Sequence, residues 1–97
     1  MSSNLDKLNF ILINVERAQL SKGAFSMEDC KQFLSSIKTL SAFFSDDKIA
    51  THEEFKAFLF ILESVKLHQS KGTFTLECSV ILLEILESLE KEVGARK

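Results

Sequence analysis

Ser21-Lys22-Gly23-Ala24-Phe25-Ser26-Met27-Glu28 recurs as Ser70-Lys71-Gly72-Thr73-Phe74-Thr75-Leu76-Glu77. Five of the eight aligned pairs are identical, and the offset is a constant 49 residues. Each copy lies between two long segments of apolar periodicity, and each carries the signals that stop one helix and start another. Gly23 and Gly72 suit the left-handed position after a C-cap. Ser26 and Thr75 suit N-caps, Phe25 and Phe74 can fold back as hydrophobic staples, and Glu28 and Glu77 favour the positive end of a helix. The repeated stretch therefore reads as the corner of a helical hairpin, written twice.

The segments on either side agree. Segment one, about Ser3 to Ser21, spaces Leu5, Leu8, Ile11, Leu12, Val15 and Ala18 along one helical stripe, with Phe10, Ile13 and Leu20 outside it. Segment two, about Met27 to Phe44, has the cleanest stripe: Cys30, Phe33, Leu34, Ile37, Leu40 and Phe44. Ser45 to Ala50 is a polar connection. Thr51 with Glu54 spells the best capping box in the chain and opens segment three, about His52 to Gln69. Its stripe is Phe55, Phe58, Leu59, Ile61, Leu62 and Val65, with Phe60 and Leu67 off it. Segment four, about Leu76 to Val93, is apolar round most of its circumference and keeps only a narrow polar strip of Glu77, Glu84, Ser88 and Lys91. Gly94 to Lys97 reads as a frayed tail.

The 49-residue offset continues into the flanks, where Lys7 matches Lys56, Leu34 matches Leu83 and Leu40 matches Leu89. The sequence thus predicts an all-α single domain over residues 1–97, a four-helix bundle of two tandem αα-hairpins (about 3–45 and 52–93) in up-down-up-down order. Composition points the same way. The chain has no proline and three glycines in 97 residues, too few turn formers for a β-rich fold. Nine phenylalanines without tyrosine or tryptophan suit dry contacts.

Charge and motif spacing bear on function mainly by exclusion. A net charge of −2, with scattered lysines and an acidic last segment, gives no basic face for nucleic acid. No apolar run is long enough to span a membrane and no signal peptide is readable. Two cysteines, Cys30 and Cys78, in no metal or redox spacing, read as free thiols of an intracellular reducing compartment. A calcium loop centred on Gly72 would need ligands from Leu67, Gln69, Lys71 and Cys78, none of them a hard carboxylate, and the first corner does not supply the several carboxylates either. A phosphate nest at the corner has one glycine, with the lysine on its wrong side. His52 and His68 lack the Glu-x-x-His spacing of a helical metal site, and His68 reads as a dipole-favoured group in a last turn. Asp46 and Asp47 read as a solvated turn. No nucleophile, base and orienting group converge, so the sequence points away from an enzyme and implies no cofactor and no metal.

Ala18-Gln19-Leu20-Ser21-Lys22-Gly23-Ala24-Phe25-Ser26-Met27-Glu28-Asp29 resembles a pattern, Ala-Gln-x-x-Lys-Gly-Ala-Phe/Tyr-Ser/Thr-Leu-Glu-Glu, found in small helical proteins of large DNA viruses. Met27 and Asp29 depart from it, and the second copy echoes it only over Ser70 to Glu77. The resemblance implies no activity; it implies a virion or virus-factory component.

What remains is segment four, whose apolar circumference exceeds what one core can cover. The expectation is a protein–protein interaction or structural module, a homodimer by default, that associates through Phe10, Ile13, Ile81, Leu82, Ile85 and Leu89. Structural corners are expected at Gly23, Phe25, Ser26, Gly72, Phe74 and Thr75. The alternative is a small carrier of a lipid-like apolar ligand held between helices.

Overall fold

Ser3, Ser26, Thr51 and Thr75 each stand immediately before a helix. The computed structural model describes residues 3–23, 25–46 and 49–95, without the side chain of Lys22. It forms α1 (Asn4–Lys22), α2 (Met27–Ser45), α3 (His52–Ser70) and α4 (Leu76–Ala95). Asp47, half of the expected Asp46–Asp47 turn, and Arg96 and Lys97 of the expected tail lie outside the described residues. Gly94 and Ala95 continue α4 rather than fraying.

The caps differ from the expected ranking. Ser3 and Ser26 form complete capping boxes: each hydroxyl accepts from the N3 amide at 3.1 Å, and Asp6 and Asp29 reach back to the cap amides. Thr75 accepts from the Cys78 amide at 3.1 Å. Thr51, the strongest box on paper, makes no side-chain cap to the backbone. Its hydroxyl donates instead to Glu54 Oε2 at 2.6 Å. Glu54 is buried, and a carboxylate removed from water takes the nearest donor before a backbone amide does.

The four helices pack as a bundle in which α1 and α3 each touch all three other helices, while among the described residues α2 and α4 do not touch. In cross-section this is a flattened diamond with α1 and α3 on its short diagonal. The extents agree at 36 × 30 × 17 Å, the shortest being roughly two helix axes 8–10 Å apart with their Cα radii on either side. The core is built from Leu8, Ile11 and Val15 of α1, Phe33, Ile37, Leu40 and Phe43 of α2, Ala57, Phe58, Ile61 and Val65 of α3, and Leu82, Leu86, Leu89 and Val93 of α4.

Several expected stripe positions are rotated out of that core. Leu34 (52% exposed), Leu59 and Leu5 face outward, while Phe43 replaces Phe44 as the buried ring and Phe60 packs against the core. The helices' buried faces are set by where neighbours sit, and a wheel drawn from apolar positions alone averages over half-buried flanks.

Leu40 is fully buried and Leu34 half-exposed on the same helix, so their truncations should separate. Leu40→Ala should lower unfolding free energy by about 2–5 kcal/mol, and Leu34→Ala by about 1 kcal/mol or less, both read from urea denaturation followed by circular dichroism. Comparable losses at the two sites would contradict this packing.

Candidate functional site

The largest concentration of buried polar chemistry lies where the first corner meets α3. Gln19, in the last turns of α1, uses both halves of its amide on one residue of the corner. Phe25 N–H donates to Gln19 Oε1 at 2.9 Å, and Gln19 Nε2 donates to the Phe25 carbonyl at 3.2 Å. That pairing fixes which end of the amide is oxygen. Gln19 Oε1 then faces His68 Nε2 at 3.4 Å, and the Phe25 ring meets the His68 ring edge-on with centroids 4.5 Å apart.

His68 is fully buried, and its Nδ1 lies 3.0 Å from the Ser64 carbonyl one helical turn earlier. The Ser64 carbonyl only accepts, so Nδ1 carries the proton and donates to it; the longer approach of Nε2 to Gln19 Oε1, also an acceptor, is then a packing contact rather than a hydrogen bond. His68 lies in the last turn of α3, as expected, but it is an internal group packed where the first corner meets that helix. Gln19 and His68 stand 49 residues apart, the same spacing that separates the two corner stretches.

The paired corners differ in backbone. Gly72 adopts φ 69°, the left-handed conformation expected of it, and Thr73 Oγ1 donates to the His68 carbonyl at 2.6 Å. Gly23 has φ −30° and ψ 98°, outside the left-handed region and contrary to expectation. Its corner is one residue shorter than the second, four against five between helices, and the Gln19 clamp supplies the constraint that a left-handed glycine would otherwise give. Phe25 spans to Phe33, with centroids 5.8 Å apart, and to His68.

On the opposite side, α1 and α4 are joined by two polar rungs. Lys7 Nζ donates to Ser88 Oγ at 2.8 Å, and the Cys78 thiol donates to Asn14 Oδ1 at 3.3 Å. The partners rise along α1 as they descend along α4, so the two helices run antiparallel. Burial pushes the Cys78 thiol above its ordinary range, so it stays protonated and fits the donor role.

Between the rungs lie four of the six side chains expected at an interface. Ile13 (41% exposed) and Ile81 (43% exposed) open to solvent, flanked by the half-buried Phe10 and Ile85. The other two must be corrected: Leu82 (1%) and Leu89 (0%) belong to the core. With Leu86 and Val93 they form the inward stripe of α4, one position off the Ile81–Ile85 edge. Leu76, Val80 and Leu83 are exposed on the other flank of α4.

Each hairpin also has an open apolar cleft beside its corner. The α3–α4 cleft, about 340 Å³, is lined by Leu62, Val65, Lys66, Phe74, Leu83 and Leu86 among others. The α1–α2 cleft, about 200 Å³, is lined by Leu12, Val15, Phe25, Phe33 and Leu34 among others. Among the described residues no group of three His, Cys, Asp or Glu side chains could hold a metal ion, and no helix is long and apolar enough to cross a membrane. Comparison with protein-family models, with curated proteins and with solved structures returned no match for this chain.

The two corner glycines generate opposite expectations. Gly72→Ala forces a side chain into a left-handed conformation and should cost about 1 kcal/mol or more. A Cβ at Gly23 would meet Gln19 Nε2 at 3.4 Å and only ordinary contacts beyond it, so Gly23→Ala should be near neutral; thermal unfolding of the two variants checks this. Gln19→Leu removes the corner clamp and should destabilise by about 1–3 kcal/mol, with loss of amide-exchange protection at Phe25 by NMR.

Proposed function

We propose that the chain is a non-catalytic protein–protein interaction or structural module that associates through the outer face of α1 and α4. The observation that carries this reading is the contiguous apolar strip of Phe10, Ile13, Ile81 and Ile85, bordered by the Lys7–Ser88 and Asn14–Cys78 hydrogen bonds. Scattered exposed hydrophobes are ordinary on any surface. Four gathered on two adjacent helices, framed by charged residues, have the composition of an interface centre.

The polar groups that could suggest chemistry are engaged elsewhere. His68, Gln19 and Ser64 hold the corner to α3, and the raised Cys78 thiol is a hydrogen-bond donor rather than a nucleophile. The resemblance of the first corner to small helical proteins of large DNA viruses supports a place in a virion or virus factory, where assembly modules of this kind act. A second reading, an apolar-ligand carrier, is favoured by the α3–α4 cleft, whose 340 Å³ falls within the range of small-molecule sites.

Native mass spectrometry of the purified chain separates the two readings. The interaction module should appear at twice the chain mass or with a protein partner, and the carrier at monomer mass plus a lipid-sized adduct. Ile13→Glu and Ile81→Glu should each leave helical circular dichroism unchanged and abolish association. Unaltered association in both variants would remove this face from consideration.

A further inference from the structure

Resting on the second of those readings, we propose that the α3–α4 cleft binds a medium-chain carboxylic acid. Its tail lies along Leu62, Leu83 and Leu86, and its carboxylate meets Lys66 and Gln69 at the corner end.

The cleft of the other hairpin supplies the contrast from which the charge of the ligand is read. Both clefts sit beside a corner, and five lining positions of the α3–α4 cleft stand 49 residues after lining positions of the α1–α2 cleft. Phe25 and Phe74 share that offset, as do Leu34 and Leu83. At the other three positions the chemistry changes. Val65 stands where the α1–α2 cleft has Glu16, Gln69 where it has Leu20, and Ser79 where it has Cys30. The α1–α2 cleft is therefore lined by one acid and no cation, and the α3–α4 cleft by Lys66 and no acid.

The polar groups of the α3–α4 cleft gather at one end and offer donors. Lys66, Gln69 and Ser70 belong to the last turns of α3, and Ser79 to the first turn of α4. Ser79 Oγ donates to Gln69 Oε1, and Ser70 Oγ donates to the Leu67 carbonyl. Both hydroxyl hydrogens and the amide oxygen are thereby engaged. What remains is the Gln69 Nε2 amino group and the Lys66 ammonium, neither with a protein acceptor among the described residues. Glu63, three residues before Lys66, is exposed and outside the lining. Two donors without acceptors, one of them charged, form the recognition set for a carboxylate. One cation matches its single charge better than the near-double charge of a phosphate group.

The other five lining residues, from Leu62 to Leu86, are apolar. An apolar lining with a few convergent polar groups is the usual make-up of a small-molecule site, and about 340 Å³ lies within its range. Length sets the class of acid. From Leu62 to Ser70 α3 rises about 12 Å, room for a tail of about nine carbons at about 1.3 Å per staggered bond.

Titration of the full chain with nonanoate and with 1-nonanol, followed by amide NMR shifts, tests this with one tail and two heads. Nonanoate should shift Lys66, Gln69, Ser79 and Leu83 and bind about tenfold more tightly than nonanol. Lys66→Glu should abolish that preference while leaving the nonanol affinity within about twofold of wild type. Leu83→Asp should abolish binding, and Leu34→Asp in the other cleft should leave it unchanged. Both leucines are half-exposed, so helical circular dichroism should persist in each variant. Equal affinity for the two heads, with both lost in Leu83→Asp, would overturn the carboxylate assignment while the carrier reading stood. Loss of binding in Leu34→Asp rather than Leu83→Asp would place the site on the other hairpin and overturn the proposal. Shifts from neither probe at millimolar concentration would also overturn it, and the carrier reading falls with it if native mass spectra of the purified chain show no adduct.

Discussion

The contact between α1 and α3 is the constraint from which the rest of the structure follows. In a square bundle neither diagonal pair touches, and every helix needs one inward stripe. Here α1 and α3 meet directly, α2 and α4 are held apart, and the section flattens to 17 Å. Helices on the short diagonal acquire three neighbours and must let them approach closely. Helix α3 meets that demand with small and polar side chains, Ala57, Ser64 and His68, among its larger ones. Each polar group brought inside is satisfied locally: Ser64 donates to the Phe60 carbonyl, and His68 reaches the Ser64 carbonyl. Among the described residues no buried side-chain nitrogen or oxygen lacks a polar neighbour at hydrogen-bond distance.

That contact also explains why Gln19 carries so much. It sits where α1 ends, where the first corner turns and where α3 passes, and its amide ties the first two together while packing against His68 of the third. By holding Phe25 at both backbone polar groups it places the ring on His68 and Phe33, so the corner is fixed from within the core rather than by its own backbone. The second corner turns on the left-handed conformation of Gly72, with Thr73 Oγ1 donating to the His68 carbonyl and Ser79 Oγ to Gln69 Oε1. Two nearly identical sequences thus turn by different physics, and the difference comes from their surroundings.

Much of this architecture was legible in the residues. Helix number, the three connections and the caps at Ser26 and Thr75 follow from local chemistry that needs no neighbour. The inward stripe of α4 did not, because Ile81, Leu82, Ile85 and Leu89 are equally apolar and only the positions of α1 and α3 decide which face in. Leu82 and Leu89 were misassigned for that reason, while Ile13 and Ile81 stand open. Thr51 was misread because Glu54 looks like an ordinary first-turn acid until its burial is known. His68 was misread because a histidine in a last helical turn is ordinarily wet, and no local signal says that Phe25 and Gln19 will cover it.

The same geometry separates what holds the fold from what is free to associate. Buried polar contacts gather at the first corner and α3, and the inward stripe of α4 is complete with Leu82, Leu86, Leu89 and Val93. Ile13 and Ile81 therefore add little to the core they border. A half-exposed isoleucine gains about half the transfer free energy of a buried one, on the order of 1 kcal/mol, and the remainder is realised only when something else covers it. Two helices joined by hydrogen-bonded rungs offer that remainder as a rigid surface, with little ordering to be done on association. Unfinished burial at one place is the physical basis on which the α1–α4 face, rather than the repeated corner, is proposed as an association surface.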